Sequence, residues 1–95
     1  MREYELVIIV HPDLEETALN EAITKVQGWI TDAGGQVIKT DLWGKRRLAY
    51  PIRKQTQGHY VLMNISMEPK FGVELERNLR IFEPIMRFLV TAKQP

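Results

Sequence analysis

The chain has 95 residues, 44% hydrophobic and 26% charged, with a net charge of +1 at pH 7. That is ordinary globular composition, enough for one modest core, so a single domain over residues 1–95 is expected. The absence of cysteine excludes disulfides and thiol metal sites, no apolar run approaches the ~18 residues of a membrane span, and the charged start Met1-Arg2-Glu3-Tyr4-Glu5 is unlike a signal peptide, so a cytoplasmic protein without a membrane partner is expected.

Tyr4 to Val10 (YELVIIV) is β-branched and apolar and stops at His11-Pro12. It predicts a central strand. Leu14, Ala18, Ala22, Val26, Trp29 or Ile30, and Ala33 then recur at helical spacing. Asp13 with Glu16 suggests a capping box, and Gly34-Gly35 a stop. Gln36 to Ile52 predicts a long second strand interrupted near Trp43-Gly44. Gln55-Thr56-Gln57-Gly58 suggests a turn, and His59 to Met67 a third strand forming a hairpin with the second. Pro69 opens a second helix with Phe71, Leu75, Leu79 and Phe82 on one stripe, and Glu76 and Arg80 spaced to pair. Glu83-Pro84 ends it, and Ile85 to Ala92 is a fourth strand.

The order β-α-β-β-α-β is the ferredoxin-like split βαβ pattern of the α+β class. Its four-stranded antiparallel sheet carries two helices on one face and leaves the other face open. Alternation along the strands predicts which residues lie there. Leu6, Ile8, Val10, Val61, Met63, Ile65, Met67, Met86, Phe88 and Val90 are expected to face the helices. The open face then carries Val7, Ile9, Tyr60, Leu62 and Leu89, an apolar set suited to a protein partner or to nucleobases. In strand two both Val37 and Leu48 are expected inward, yet one is odd and the other even. A period-2 strand needs an extra residue for that, so a bulge is predicted at Trp43-Gly44-Lys45.

The stretch WGKRRLAYPI fixes three cations, Lys45, Arg46 and Arg47, side by side. Like charges held together repel, which costs stability unless an anion faces them. Arg53 and Lys54 follow, Arg2 opens strand one and Arg87 lies in strand four. The acids Asp13, Glu15, Glu16, Glu21, Glu74 and Glu76 concentrate on the helices. Cations spread over several strands can track a phosphate backbone. The plainer alternative is that they blunt a sheet edge against aggregation. The strand aromatics Tyr4, Trp43, Tyr50 and Tyr60 could stack on unpaired bases, although rings beside apolar residues usually pack.

Little supports catalysis, and no cofactor, metal or small-molecule substrate is expected. His11 and His59 are expected at opposite ends of the sheet, too far apart to share a metal. Gly34-Gly35 ends a helix instead of opening one, so no phosphate loop is present. Acylphosphatases share the fold pattern but need an arginine in the loop after strand one. Here that loop is His11-Pro12-Asp13-Leu14, which is acidic, so no enzyme is expected.

Taken together, MREYE, VHPDL, WGKRRLAYPIRKQTQGHYV, ELERNLRI and IMRFLV resemble the family of the sixth protein of the bacterial small ribosomal subunit over essentially the whole chain. GKRRLAYPI with the downstream QGHY is the specific part. The resemblance implies a non-enzymatic, ribosome-associated structural protein. It implies binding to the central domain of 16S rRNA together with the eighteenth small-subunit protein. It puts RNA or partner contacts on Lys45, Arg46, Arg47 and Tyr50, with Arg2, Tyr4 and Arg87 matching family positions on strands one and four. Arg53 and Lys54 join this set from the cationic pattern. The chain ends Lys93-Gln94-Pro95, without the acidic or extended tail some members carry. The rival from another class is a ferredoxin-like regulatory or dimerisation module that uses the open sheet to self-associate.

Overall fold

The chain runs β1 (Arg2–Val10), α1 (Glu16–Asp32), β2 (Gln36–Ile52), β3 (Gln55–Met67), a 3-10 turn (Pro69–Phe71), α2 (Gly72–Ile81) and β4 (Ile85–Ala92). This computed structural model describes residues 1–93; Gln94 and Pro95, at the chain end noted above, lie outside the described residues. The sheet order is β2-β3-β1-β4 and every pairing is antiparallel. The expected architecture is therefore the observed one.

One face of the sheet makes the core with both helices. Leu6, Ile8 and Val10 of β1 meet Val61, Met63, Ile65 and Met67 of β3, and Ile85 of β4. Leu19, Ile23, Val26 and Ile30 of α1, with Leu75 and Leu79 of α2, cover them. Of the expected stripe of α1, Ala22, Val26 and Ile30 are buried, whereas Ala18 is exposed and the larger Leu19 and Ile23 beside it are buried instead. The capping box does not form: Glu15 is the N-cap and makes no side-chain hydrogen bond. Instead the Asp13 amide donates to His11 Nδ1 at 3.1 Å, which ties up the turn. Gly34, with φ 86°, follows the last turn as expected. In α2, Glu76 and Arg80 are not ion-paired among the described residues; the Arg80 guanidinium lies 5.9 Å from the Phe88 ring centroid.

Of four register shifts in the sheet among the described residues, one lies between Arg47 and Ile52 beside the hairpin turn, and the other three decide which face the side chains take. In β4, Val10 pairs with Ile85 and Ile9 with Arg87, which leaves Met86 unopposed. This bulge turns Met86 to the open face, correcting its expected inward placement. In β2 the register slips between Leu42 and Gly44, so Trp43 is the extra residue and Gly44 sits at φ 84°. That is the expected bulge. A second slip between Val37 and Lys39 was not foreseen. Two slips restore the original parity, so Leu48 faces away from the helices, contrary to expectation. It is still buried, in a small second cluster with Ile9 and Met86 on the open face.

The turn also lies elsewhere. β3 begins at Gln55, and the connection is Arg53-Lys54, with φ 49° and 65°. Positive φ at both positions is the type I′ geometry whose twist matches a hairpin, here adopted without glycine.

Candidate nucleic-acid and partner interface

β2 and β3 are 17 and 13 residues long, whereas β1 has 9 and β4 has 8. The hairpin overshoots the sheet and curls back across the open face to reach β4, its non-neighbour. Three contacts hold it there. Leu48, with Ile52 beside it, packs on Ile9 and Met86. Arg53 donates from Nη1 to the Glu83 carbonyl at 3.0 Å and from Nη2 to the Ile85 carbonyl at 3.2 Å. Tyr50 accepts a hydrogen bond from Arg87, whose guanidinium lies 5.6 Å from its ring centroid. Gly58 permits the approach, because a Cβ there would lie 2.5 Å from Ile9 Cγ2.

Cross-strand pairs arrange the rest of the open face in rows. Leu62, Val7 and Leu89 form one, across β3, β1 and β4. Tyr60, Ile9 and Arg87 form the next, toward the hairpin. Val7 and Leu62 are half-buried and Leu89 is 62% exposed, whereas Ile9 is covered by the curled hairpin. On the other side, Asn64, Glu5 and Thr91 make the face polar. The bulge throws Trp43 over Tyr60, with centroids 6.4 Å apart and planes 10° from parallel. Arg46 donates to the Trp43 carbonyl at 3.3 Å, and its guanidinium lies 5.5 Å from the indole. An apolar row therefore runs beside two arginine–aromatic pairs, Arg46 with Trp43 and Arg87 with Tyr50. Trp43 is 44% and Tyr50 55% exposed.

The cationic run is divided by this geometry. Arg46 is opposite Gly58 on the open side, while Lys45 and Arg47 pair with His59 and Gln57 and alternate to the reverse side. All three are exposed, as is Lys54 at the turn. Arg53 is committed to the two carbonyls. Arg2 and Tyr4 do not join the others: they pair with Met67 and Ile65, on the helix side and at the far end of the sheet. Tyr4 packs against the core. Trp43 is the residue that sequence reasoning undervalued, because a tryptophan amid apolar neighbours usually packs inside. The bulge expected at that position was the signal that it need not.

The two histidines were also misjudged. An antiparallel strand starts where its neighbour ends, so His59, paired with Val10, lies beside the end of β1 and near His11. His59 Nε2 is buried without a hydrogen-bond partner. No group of three or more His, Cys, Asp or Glu suited to a metal forms among the described residues. No helix is long and apolar enough to cross a membrane.

Comparison with known proteins agrees with the geometry. Residues 3–92 match the family described as ribosomal protein S6. The chain is 47% identical to the small ribosomal subunit protein bS6 of Heliobacterium modesticaldum over 93 residues, covering 98% of this chain and 97% of that one. It is 45% identical to the corresponding protein of Moorella thermoacetica over 91 residues, covering 96% and 93%. The crystal structure of 30S ribosomal protein S6 from Thermotoga maritima superposes with a TM-score of 0.91 at 26% identity, covering 97% of this chain and 87% of that one. The chain belongs to the ribosomal protein S6 family, whose members are ribosomal structural proteins and not enzymes.

Proposed function

We propose that this chain is a structural component of the bacterial small ribosomal subunit that binds the central domain of 16S rRNA jointly with the eighteenth small-subunit protein. The observation that carries the proposal is the open sheet face, where the row Leu62–Val7–Leu89 adjoins the pairs Arg46–Trp43 and Arg87–Tyr50. The apolar row is the half suited to a protein partner, with Trp43, Tyr60 and the curled hairpin at its border. Exposed aromatic and arginine side chains of this kind are the usual anchors of interfaces. The cations Lys45, Arg46, Arg47, Lys54 and Arg87 are the half suited to RNA. Guanidinium groups match phosphate oxygens bidentately, and alternation of the run lets one β2 segment meet phosphates on both of its sides. Arg53 serves by fixing the hairpin tip, and Arg2 and Tyr4 stand outside this contact. The repulsion within the cationic run is relieved when RNA is bound.

The double variant Arg46→Ala, Arg47→Ala tests the RNA half. Both side chains are exposed, so thermal stability should stay close to the parent. Binding to a central-domain rRNA fragment should weaken. The slope of log K against log salt should flatten by roughly 1 to 2, the loss of one or two phosphate contacts. An unchanged slope would remove these arginines from the site.

A further inference from the structure

On the opposite face of the molecule, a cavity of about 300 Å³ opens between the C-terminal end of α1 and the start of α2. Its floor is Met67 and Leu75, its walls are Trp29 and Phe71, and Asp32 and Glu74 stand at its rim. No basic residue lines it, and among the described residues neither carboxylate is ion-paired. Glu74 has a local explanation, since it lies in the first turn of α2, where the helix dipole favours an anion. Asp32 has none. It is the last residue of α1, and no basic residue occupies that turn. An anion there adds to the negative end of the dipole, an arrangement unfavourable to the free protein, even though the Trp29, Ile30 and Thr31 carbonyls accept from the Ala33, Gly35 and Gly34 amides.

We propose that this cleft is a second docking site, for an arginine- or lysine-bearing segment of another protein. The charge pattern selects that occupant. A cationic head at the rim meets Asp32, Glu74 and the negative end of α1, while its methylene stem lies along Trp29 and Phe71. The volume is at the small end for ligand sites and suits one long side chain with its flanking backbone. The same surface already places Lys70 5.6 Å from the Phe71 ring and Lys25 5.8 Å from the Phe82 ring, so it tolerates cations against its aromatic rings. The site is independent of the sheet face and does not rest on the ribosomal function.

The test is a titration of the ¹⁵N-labelled full chain with the blocked peptide Leu-Arg-Leu-Arg-Leu, followed by amide and indole resonances. The control is the same peptide with citrulline, the neutral isostere, in place of arginine. The expected result is saturable shifts at the Trp29 indole, Phe71 and Leu75 with the arginine peptide only. Asp32→Asn should weaken that binding by roughly fivefold, the scale of one partly exposed ion pair, and raise the melting temperature of the free chain. Should Asp32→Asn disturb the helix end, Glu74→Gln provides the second variant, with weaker binding again expected. Three results would overturn the proposal: no shifts at the cleft, equal binding of the citrulline peptide, or full affinity retained in both variants. Concentration-dependent shifts at these residues without peptide would replace the proposed occupant by a second copy of the chain.

Discussion

Gly58→Ala is the sharpest test of how the hairpin is seated. The added Cβ would meet Ile9 Cγ2 at 2.5 Å, Met86 Cε at 3.1 Å and the Val10 carbonyl oxygen at 3.3 Å. Unstrained carbon contacts lie at ~3.5–4.0 Å, so the Ile9 methyl must withdraw by roughly 1 Å. Met86 is unbranched and yields readily, but Ile9 is stiff at χ1 and enclosed by Leu48 and Met86. Overpacking of this kind costs about 1–3 kcal/mol. Against it stands about 0.4–1 kcal/mol gained by restricting the unfolded chain. The net is about 1–2 kcal/mol of destabilisation, and at ~4–8 °C per kcal/mol for a chain of this size the melting temperature should fall by about 5–15 °C. Thermal and urea unfolding followed by circular dichroism give both numbers. Repeating the substitution in an Ile9→Ala background, where the clashing methyl is gone, should remove most of the penalty. A Gly58→Ala variant as stable as the parent, or a penalty undiminished beside Ile9→Ala, would refute this account of the hairpin.

The remaining predictions concern the tip. Arg53→Ala removes two charge-assisted hydrogen bonds from a partly exposed clasp, so the loss should be about 1 kcal/mol. Amide exchange at Gln55 to Gln57 should accelerate more than exchange in the β1 core. Lys54→Gly relieves a side chain held at φ 65° and should stabilise the chain by about 0.5–1 kcal/mol in urea unfolding. No gain would mean that the type I′ turn is not strained.

Much of the fold could be read from alternation alone. Leu6, Ile8 and Val10 in β1 and Val61 to Met67 in β3 alternate without interruption, and both face the core as expected. Where alternation broke, inference from single residues broke with it. Met86 and Leu48 were placed on the wrong face because a bulge reverses parity without leaving a strong mark in the sequence. Gly44 marked one bulge, but nothing distinctive marks Ile38 at the other. The turn was missed because a type I′ connection normally advertises itself with Asn-Gly or Asp-Gly, and here Arg53-Lys54 adopts it against propensity. Gln57-Gly58 drew attention for the wrong reason: Gly58 is required by a tertiary contact with Ile9, not by a turn.

The candidate site was legible in part for the same reasons. Val7, Ile9, Tyr60, Leu62 and Leu89 followed from parity and share the open face. The pairing of Tyr50 with Arg87 depends on a hairpin that curls over the sheet, a long-range event without a local signature. Arg2 and Tyr4 looked like members of the site because of their residue types, but their even positions put them on the core side.

The central claim concerns a shared RNA and protein surface, and binding to a central-domain 16S rRNA fragment across a salt series tests it most directly. The measurement is made with the chain alone and with the eighteenth small-subunit protein added. Tight binding that requires the partner and falls steeply with salt is the predicted result. No binding in either case, alongside a stable homodimer of this chain, would contradict it and assign the open face to self-association.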